Sequence, residues 1–201
     1  MKLSILQYGD PMLRTKGRRV EKIDGQIRHL AANMLDTMHA ANGIGLAAQQ
    51  IGAALQLTVI DVSQVEDRPS TMRINGEEID PKSAMPLVLI NPELESRGES
   101  ELGVEGCLSF PEITGEIERP RSVIARAQTL QGEIEFEAEG LLARALQHEV
   151  DHLNGILFID RMSSAAKVAL ASRLKRLQKE TKRGQRVRAG GRDSPTPHSA
   201  L

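Results

Sequence analysis

Apolar positions along this chain follow two periods, and the changes from one to the other mark its elements. Ile27, Leu30, Ala31, Met34, Leu35 and Met38 recur at helical spacing. They predict a core-facing helix capped by Asp24, running to about Asn42 and closed by Gly43. Strands are expected over 55–61, over 87–91 with Pro92 ending the run, over 122–127, and over 132–138, where alternation is cleanest. The polar, charged stretch 63–86 carries a turn at Asn75 and Gly76 and reads as a hairpin. Residues 140–155 form a second helical pattern, with Leu141, Leu142, Ala145 and Leu146 making it apolar and Asn154 and Gly155 as its stop. A short strand is expected over 156–159. A last helix follows from Asp160 to about Arg183, with Ser163 or Ser164 as N-cap. The remainder, 184–201, is rich in Gly, Arg, Ser and Pro and reads as a disordered tail. This mixed order predicts an α+β fold over 1–183, with antiparallel and mixed sheets packed around a central helix and a helix at the C-terminus.

The central helix carries the chemistry. His148, Glu149 and His152 form an H-E-x-x-H pattern. Residues i and i+4 stand one above the other on a helix, so two imidazoles can grip one metal ion while Glu149 reaches its water. Five residues with two free positions also arise by chance on surface helices. The apolar neighbours argue instead for a buried helix, where histidines and acids need partners. A third ligand is harder to find. The position six residues past His152 is Phe158, and the only later glutamate is Glu180. Upstream, Cys107 lies in the run from Glu105 to Pro111. A lone cysteine is most often a small buried hydrophobe. As a thiolate it would complete a Cys-His-His set and leave one position for water. A third stretch, 43–52, has glycines on both sides of Ile44. It reads as a helix end with a small-residue turn, or as backbone lying beside an extended ligand. Gln50 there could donate to a developing oxyanion.

Composition narrows the classes. The chain has 201 residues and a formal charge of −1, which argues against nucleic-acid binding over the whole surface. Three Phe, one Tyr and no Trp make a base-stacking platform unlikely. A single cysteine excludes an internal disulfide and suits a reducing compartment. Residues 1–8 lack the apolar core of a signal peptide, and no stretch approaches the ~18 apolar residues of a membrane span. A cytoplasmic protein without membrane or sequence-specific nucleic-acid partners is expected. Between Arg173 and Arg192 the charges are basic except for Glu180. Such a run is usually a solvated face, and phosphate contact is the alternative.

Three stretches together resemble the peptide deformylases. Their patterns G-x-G-x-A-A-x-Q, E-G-C-L-S and H-E-x-x-H-x-x-G stand here at 43–50, 105–109 and 148–155, with every fixed position matched. The resemblance spans roughly 3–179. It implies that Cys107, His148 and His152 hold one divalent metal. That metal is ferrous iron in many bacterial members, with zinc or nickel able to take the site. It implies that Glu149 moves the proton and that Gln50 and the Leu108 N–H hold the oxyanion. Substrates would be formyl-methionyl nascent peptides, with formate and a free N-terminal methionine as products. The peptide would add as a strand along Ile44 and Gly45, beside Glu105 and Gly106, with its methionine between Ile44, Leu141 and Ala145. Arg144 would border that pocket, and Arg121 would brace Glu105. The family's C-terminal helix can dock on the ribosome. Two departures stand out: no arginine soon follows Pro111, and the segment 63–86 is longer than in compact members, as a hairpin or a lid. A zinc endopeptidase that does without Cys107, or a non-catalytic ribosome-associated protein, would share the helix motif.

Overall fold

The structure is a computed structural model that describes residues 1–190, with side chains through Gln185. Seven strands form one antiparallel sheet: β1 (Gly45–Ala47), β2 (Leu57–Ile60), β3 (Ser70–Ile74), β4 (Glu77–Ile79), β5 (Leu87–Gly106), β6 (Thr114–Gln128) and β7 (Glu133–Gly140). Their spatial order is β1-β2-β5-β6-β7-β3-β4. Five α-helices accompany them among the described residues, α1 (Gly25–Ala40), α2 (Pro81–Ala84), α3 (Leu141–Leu153), α4 (Phe158–Arg161) and α5 (Ser164–Gly190), with 3-10 turns at Pro11–Arg14 and Ala48–Ile51. The α+β architecture with a central and a C-terminal helix is the one the periodicities predict.

Strand β5 runs through Pro92 rather than ending there. Asn91 takes φ 52°, and the ladder to β6 slips between Ile90 and Glu93. Its side chain accepts from Val20 N–H and donates to Val20 O. Pro92 therefore sits in an irregularity, where a missing ladder donor is tolerated. Residues 100–106 of β5 pair with β6 alone, leaving their other edge free.

The hairpin forms where expected, β3 and β4 meeting at Asn75 (φ 54°) and Gly76 (φ 81°). Both central residues at positive φ match the turn type that suits twisted strands. Its role is larger than the pattern suggests. Strand β3 pairs with β7 and supplies the N-terminal cap of α3. Leu142 N–H donates to Ser70 Oγ at 3.0 Å, and Leu141 N–H to Pro69 O at 3.2 Å. Gly140, at φ 69°, permits this approach, because a Cβ there would stand 2.3 Å from Pro69 O.

Helix α3 is buried along its length except at Val150. Leu142 and Leu146 pack into a core with Met72, Val123, Ala125, Phe136 and Ala138. A second core joins Met34 and Met38 of α1 to Leu46, Leu57, Val59 and Ile90. A third gathers Leu13, Phe110, Ile117, Leu157 and Phe158 under Leu170, Leu174 and Leu177 of α5.

Strand β6 starts at Thr114, well before the expected 122, and three boundaries at helices also differ from the sequence reading. Helix α1 keeps its Asp24 cap but ends at Ala40, and Asn42 (φ 53°), not Gly43, makes the left-handed turn. The stretch 156–159 is no strand. The short helix α4 starts within it, because Asp160 reaches back to Leu157 N–H at 2.8 Å and captures the chain as a helical turn. Helix α5 starts at Ser164, with Ser163 Oγ accepting from Ala166 N–H, and continues to Gly190. From 191 on, the expected tail lies outside the described residues.

Asp160 also pairs with Arg14. Burial pushes its carboxyl up, but hydrogen bonds from Arg14 and Leu157 N–H more than offset this and hold it below the ordinary range. A lowered carboxylate stabilises the fold above the unfolded-state pKa of about 4 and ceases to do so as pH falls through the folded value. Asp160→Asn should therefore lower stability in urea by about 0.5–1 kcal/mol at neutral pH, since the pair is largely exposed. The gap to wild type should close in strong acid. An equal deficit at both pH values would mean that the charge contributes nothing.

Candidate metal centre and peptide groove

His148 and His152 occupy one face of α3 one turn apart, with ring centroids separated by 5.1 Å. Cys107 follows the end of β5, and its Sγ lies 3.3 Å from His152 Nε2. One donor atom from each of the three residues lies within 4.8 Å of the others. Burial treats the two imidazoles differently. Burial drives His152 well below the usual imidazole range. The same burial opposes a charge on His148, yet Cys107 and Glu105 push that imidazole up, to about 10. A thiol and two imidazoles converge, with a carboxylate behind one of them. A soft divalent ion fits this donor set.

Glu105 orients the first histidine. Its Oε2 lies 2.9 Å from His148 Nδ1, which leaves Nε2 as the nitrogen for the cluster. Arg119 grips both oxygens of Glu105, at 2.6 and 3.0 Å, and reaches Asp151 at 2.8 Å. Arg161 holds the other side of Asp151 at 2.6 Å. Arg144 adds a bond to Glu105 at 3.0 Å and donates to the carbonyls of Ile117 and Glu101. Burial pushes the Glu105 carboxyl up, but His148 and Arg119 outweigh it and bring it down to about 2.

The expected brace from Arg121 is not there. Arg121 is exposed and faces Glu101 at 3.4 Å. The β5–β6 register slips between Arg97 and Ser100, opposite Arg121. Arg119, two residues earlier, keeps the inward face with Ile117. Arg144 borders the groove as expected, but its guanidinium is spent on the wall. Gly103 makes room for it: a Cβ there would lie 2.7 Å from Arg144 Cζ.

Glu149 is buried against Gly45, where a Cβ would fall 2.3 Å from Glu149 Oε1. Its Oε2 has no hydrogen-bond partner among the described residues. Burial pushes this carboxyl up to about 7. Gln50 Oε1 accepts from Ala47 N–H at 2.8 Å, which aims Nε2 toward Ser109 Oγ (3.2 Å) and Cys107 Sγ (3.5 Å).

These groups open onto a groove of about 480 Å³. Ile44, Gly45, Gln50, Glu105, Gly106, Cys107, Leu108, Leu141, Ala145, His148 and Glu149 all line it. His152, 1% exposed, lies behind them. Strand β1 is the terminal strand of the sheet, so one of its edges is free. Sequence reasoning missed Arg119, Asp151 and Ser109. Asp151 stands inside the helix motif at a position the pattern leaves free, so only its partner Arg119 gives it meaning. The in-phase alternation of Ile117 and Arg119 was the one signal for the latter.

The family model described as "Polypeptide deformylase" matches residues 2–168. A peptide deformylase of Opitutus terrae is 43% identical over 185 residues, covering 90% of this chain and 96% of that one. Peptide deformylase 1 of Clostridium acetobutylicum is 47% identical over 163 residues, covering 81% and 95%. The crystal structure of a Synechococcus elongatus peptide deformylase in complex with actinonin superposes with a TM-score of 0.72 at 40% identity, covering 85% of this chain and 87% of that one. With the family model matched over most of its length and relatives this similar end to end, the chain belongs to the polypeptide deformylase family.

Proposed function

We propose that Cys107, His148 and His152 hold one divalent ion, ferrous iron first and zinc or nickel as substitutes, at the floor of the groove. The family's reaction removes the formyl group from the N-terminal methionine of newly made polypeptides and releases formate. Family membership sets aside the endopeptidase and non-catalytic readings. The observation that carries the site reading is the Cys-His-His cluster standing beside a buried carboxylate with an unpartnered oxygen, inside a groove edged by free strand backbone.

A bound ion would lower the pKa of water and polarise the formyl carbonyl. The remaining work falls to the chain. The peptide adds to the free edge of β1 at Ile44 and Gly45, supplying the backbone partners that the edge lacks. The methionine side chain enters between Leu141 and Ala145. Gln50 Nε2 and the Leu108 N–H donate to the oxyanion as the formyl carbon becomes tetrahedral. Glu149 takes a proton from the attacking water and delivers it to the amine nitrogen as the C–N bond breaks. Its buried setting suits it to both directions of transfer near neutral pH.

The basic side of α5 gives a second contact. Lys175, Arg176, Lys179, Lys182 and Arg183 are exposed along it. We assign this face to ribosomal RNA phosphates, which it would meet by charge. Among the described residues no helix is long and apolar enough to cross a membrane. The compartment that fits this reading is the cytoplasm, where nascent chains emerge.

Three results are expected. Glu149→Gln should retain the metal, measured by elemental analysis, while formate release from a formyl-methionyl peptide falls at least about 100-fold. Retained turnover in the loaded variant would remove Glu149 from its role. Glu105→Gln should weaken metal affinity by about 10- to 100-fold, read by competition with a chelator. Unchanged affinity would make the Glu105–His148 bond ornamental to the site. Replacing Lys175, Lys179 and Lys182 together with Glu should weaken ribosome binding and flatten its salt dependence by roughly three units of log–log slope. An unaltered slope would exclude this face.

A further inference from the structure

We propose that Arg68 selects an acidic side chain at the third residue of the formylated peptide, an inference that rests on the deformylase reading above. Arg68 lines the groove from the segment that leads into β3. It is exposed. Its backbone is nonetheless held in place. The next residue, Pro69, accepts from Leu141 N–H, and Ser70 Oγ accepts from Leu142 N–H. Arg68 is therefore fastened to the N-terminal end of the helix that carries the histidines.

Two arginines line the groove, and they differ in what they hold. Arg144 is buried, and its guanidinium is taken by Glu105, Ile117 O and Glu101 O. Arg68 has no ion pair and no side-chain hydrogen bond among the described residues, so its charge is available to a ligand. The groove lining also includes Glu112, whose carbonyl accepts from Arg173 of α5. Apart from the groups of the metal cluster and its brace, the groove thus offers a cation tied beside Leu141 and an anion at Glu112.

The direction of the substrate decides which of these is read. Side chains of an extended strand alternate between faces, so residues one and three share a face about 7 Å apart. The first residue's methionine enters beside Leu141 and Ala145. The third side chain therefore leaves the groove on the Leu141 side, where Arg68 is tied. An acid there meets the guanidinium, and a lysine is repelled. The second side chain points the other way.

An ion pair in this exposed setting should change binding by about two- to fivefold and should fade with salt. The test uses the full chain loaded with metal and three C-terminally amidated peptides, formyl-Met-Ala-Glu, formyl-Met-Ala-Gln and formyl-Met-Ala-Lys. Formate release gives kcat/KM for each. We expect the Glu peptide to exceed the Gln peptide about threefold, through KM, and the Lys peptide to fall below both. Half-molar salt should erase the differences. Arg68→Ala should bring the Glu-to-Gln ratio to one, and Arg68→Glu should reverse the order in favour of Lys. A ratio that survives Arg68→Ala overturns the assignment. So does a wild-type preference for Lys, which would make Glu112 the charge that is read. Formate from the Gln peptide separates the two readings: its absence overturns the deformylase assignment itself, and its presence with no charge preference overturns only the role of Arg68.

Discussion

A buried carboxylate organises the site. Glu105 has almost no water around it, so its charge persists only because Arg119, Arg144 and His148 all direct hydrogens at it. Those partners come from β6 and from successive turns of α3, while Glu105 itself ends β5. One anion therefore fixes the spacing of three elements. Arg119 then spans from Glu105 to Asp151, and Asp151 spans onward to Arg161. Acids and bases alternate along this line, so each buried charge has an opposite neighbour. Removing a member would strand its neighbour in low dielectric, which is more damaging than the loss of one contact.

Where the site is crowded, side chains are left out. Gly45 gives Glu149 its place, and Gly103 gives Arg144 its place. Gly43 does the same for Leu108, since a Cβ would lie 2.6 Å from Leu108 Cδ1. None of these three has a positive φ. They are glycines because of what stands against them, not because of the backbone shape they adopt.

That distinction explains what could be read from residues alone. The helix motif has a fixed local spacing and the alternation of β7 buries one face, so both declare themselves. The hairpin turn at Asn75 and Gly76 is equally local. The Glu105 brace is not. Arg119 and Arg121 have the same chemistry and share the alternation phase of Ile117 and Val123, so nothing local tells which of them is buried against Glu105. Pro92 was a sound reason to end a strand until Asn91 made an irregularity that accepts it. Residues 156–159 have strand composition, but the Asp160 cap closes a helical turn over them. At the brace and at Pro92 a contact from elsewhere in the chain overruled the local preference; at 156–159 a cap three residues on did so.

The cap on α3 has a consequence for how the protein is made. A helix of this length is marginal by itself in water. Ser70 and Leu142, which meet at its start, are separated by 72 positions. The stretch holding both histidines is thus stabilised by a contact of long sequence separation, and such contacts form slowly because a large loop must close first. Glu105 arrives on β5, ordered by pairing with β6, and Cys107 directly follows that strand. The two halves of the cluster come together only once the sheet has closed around the helix. A partly folded chain can bring neither half to the other, so the competence to bind metal becomes a late reporter of correct folding.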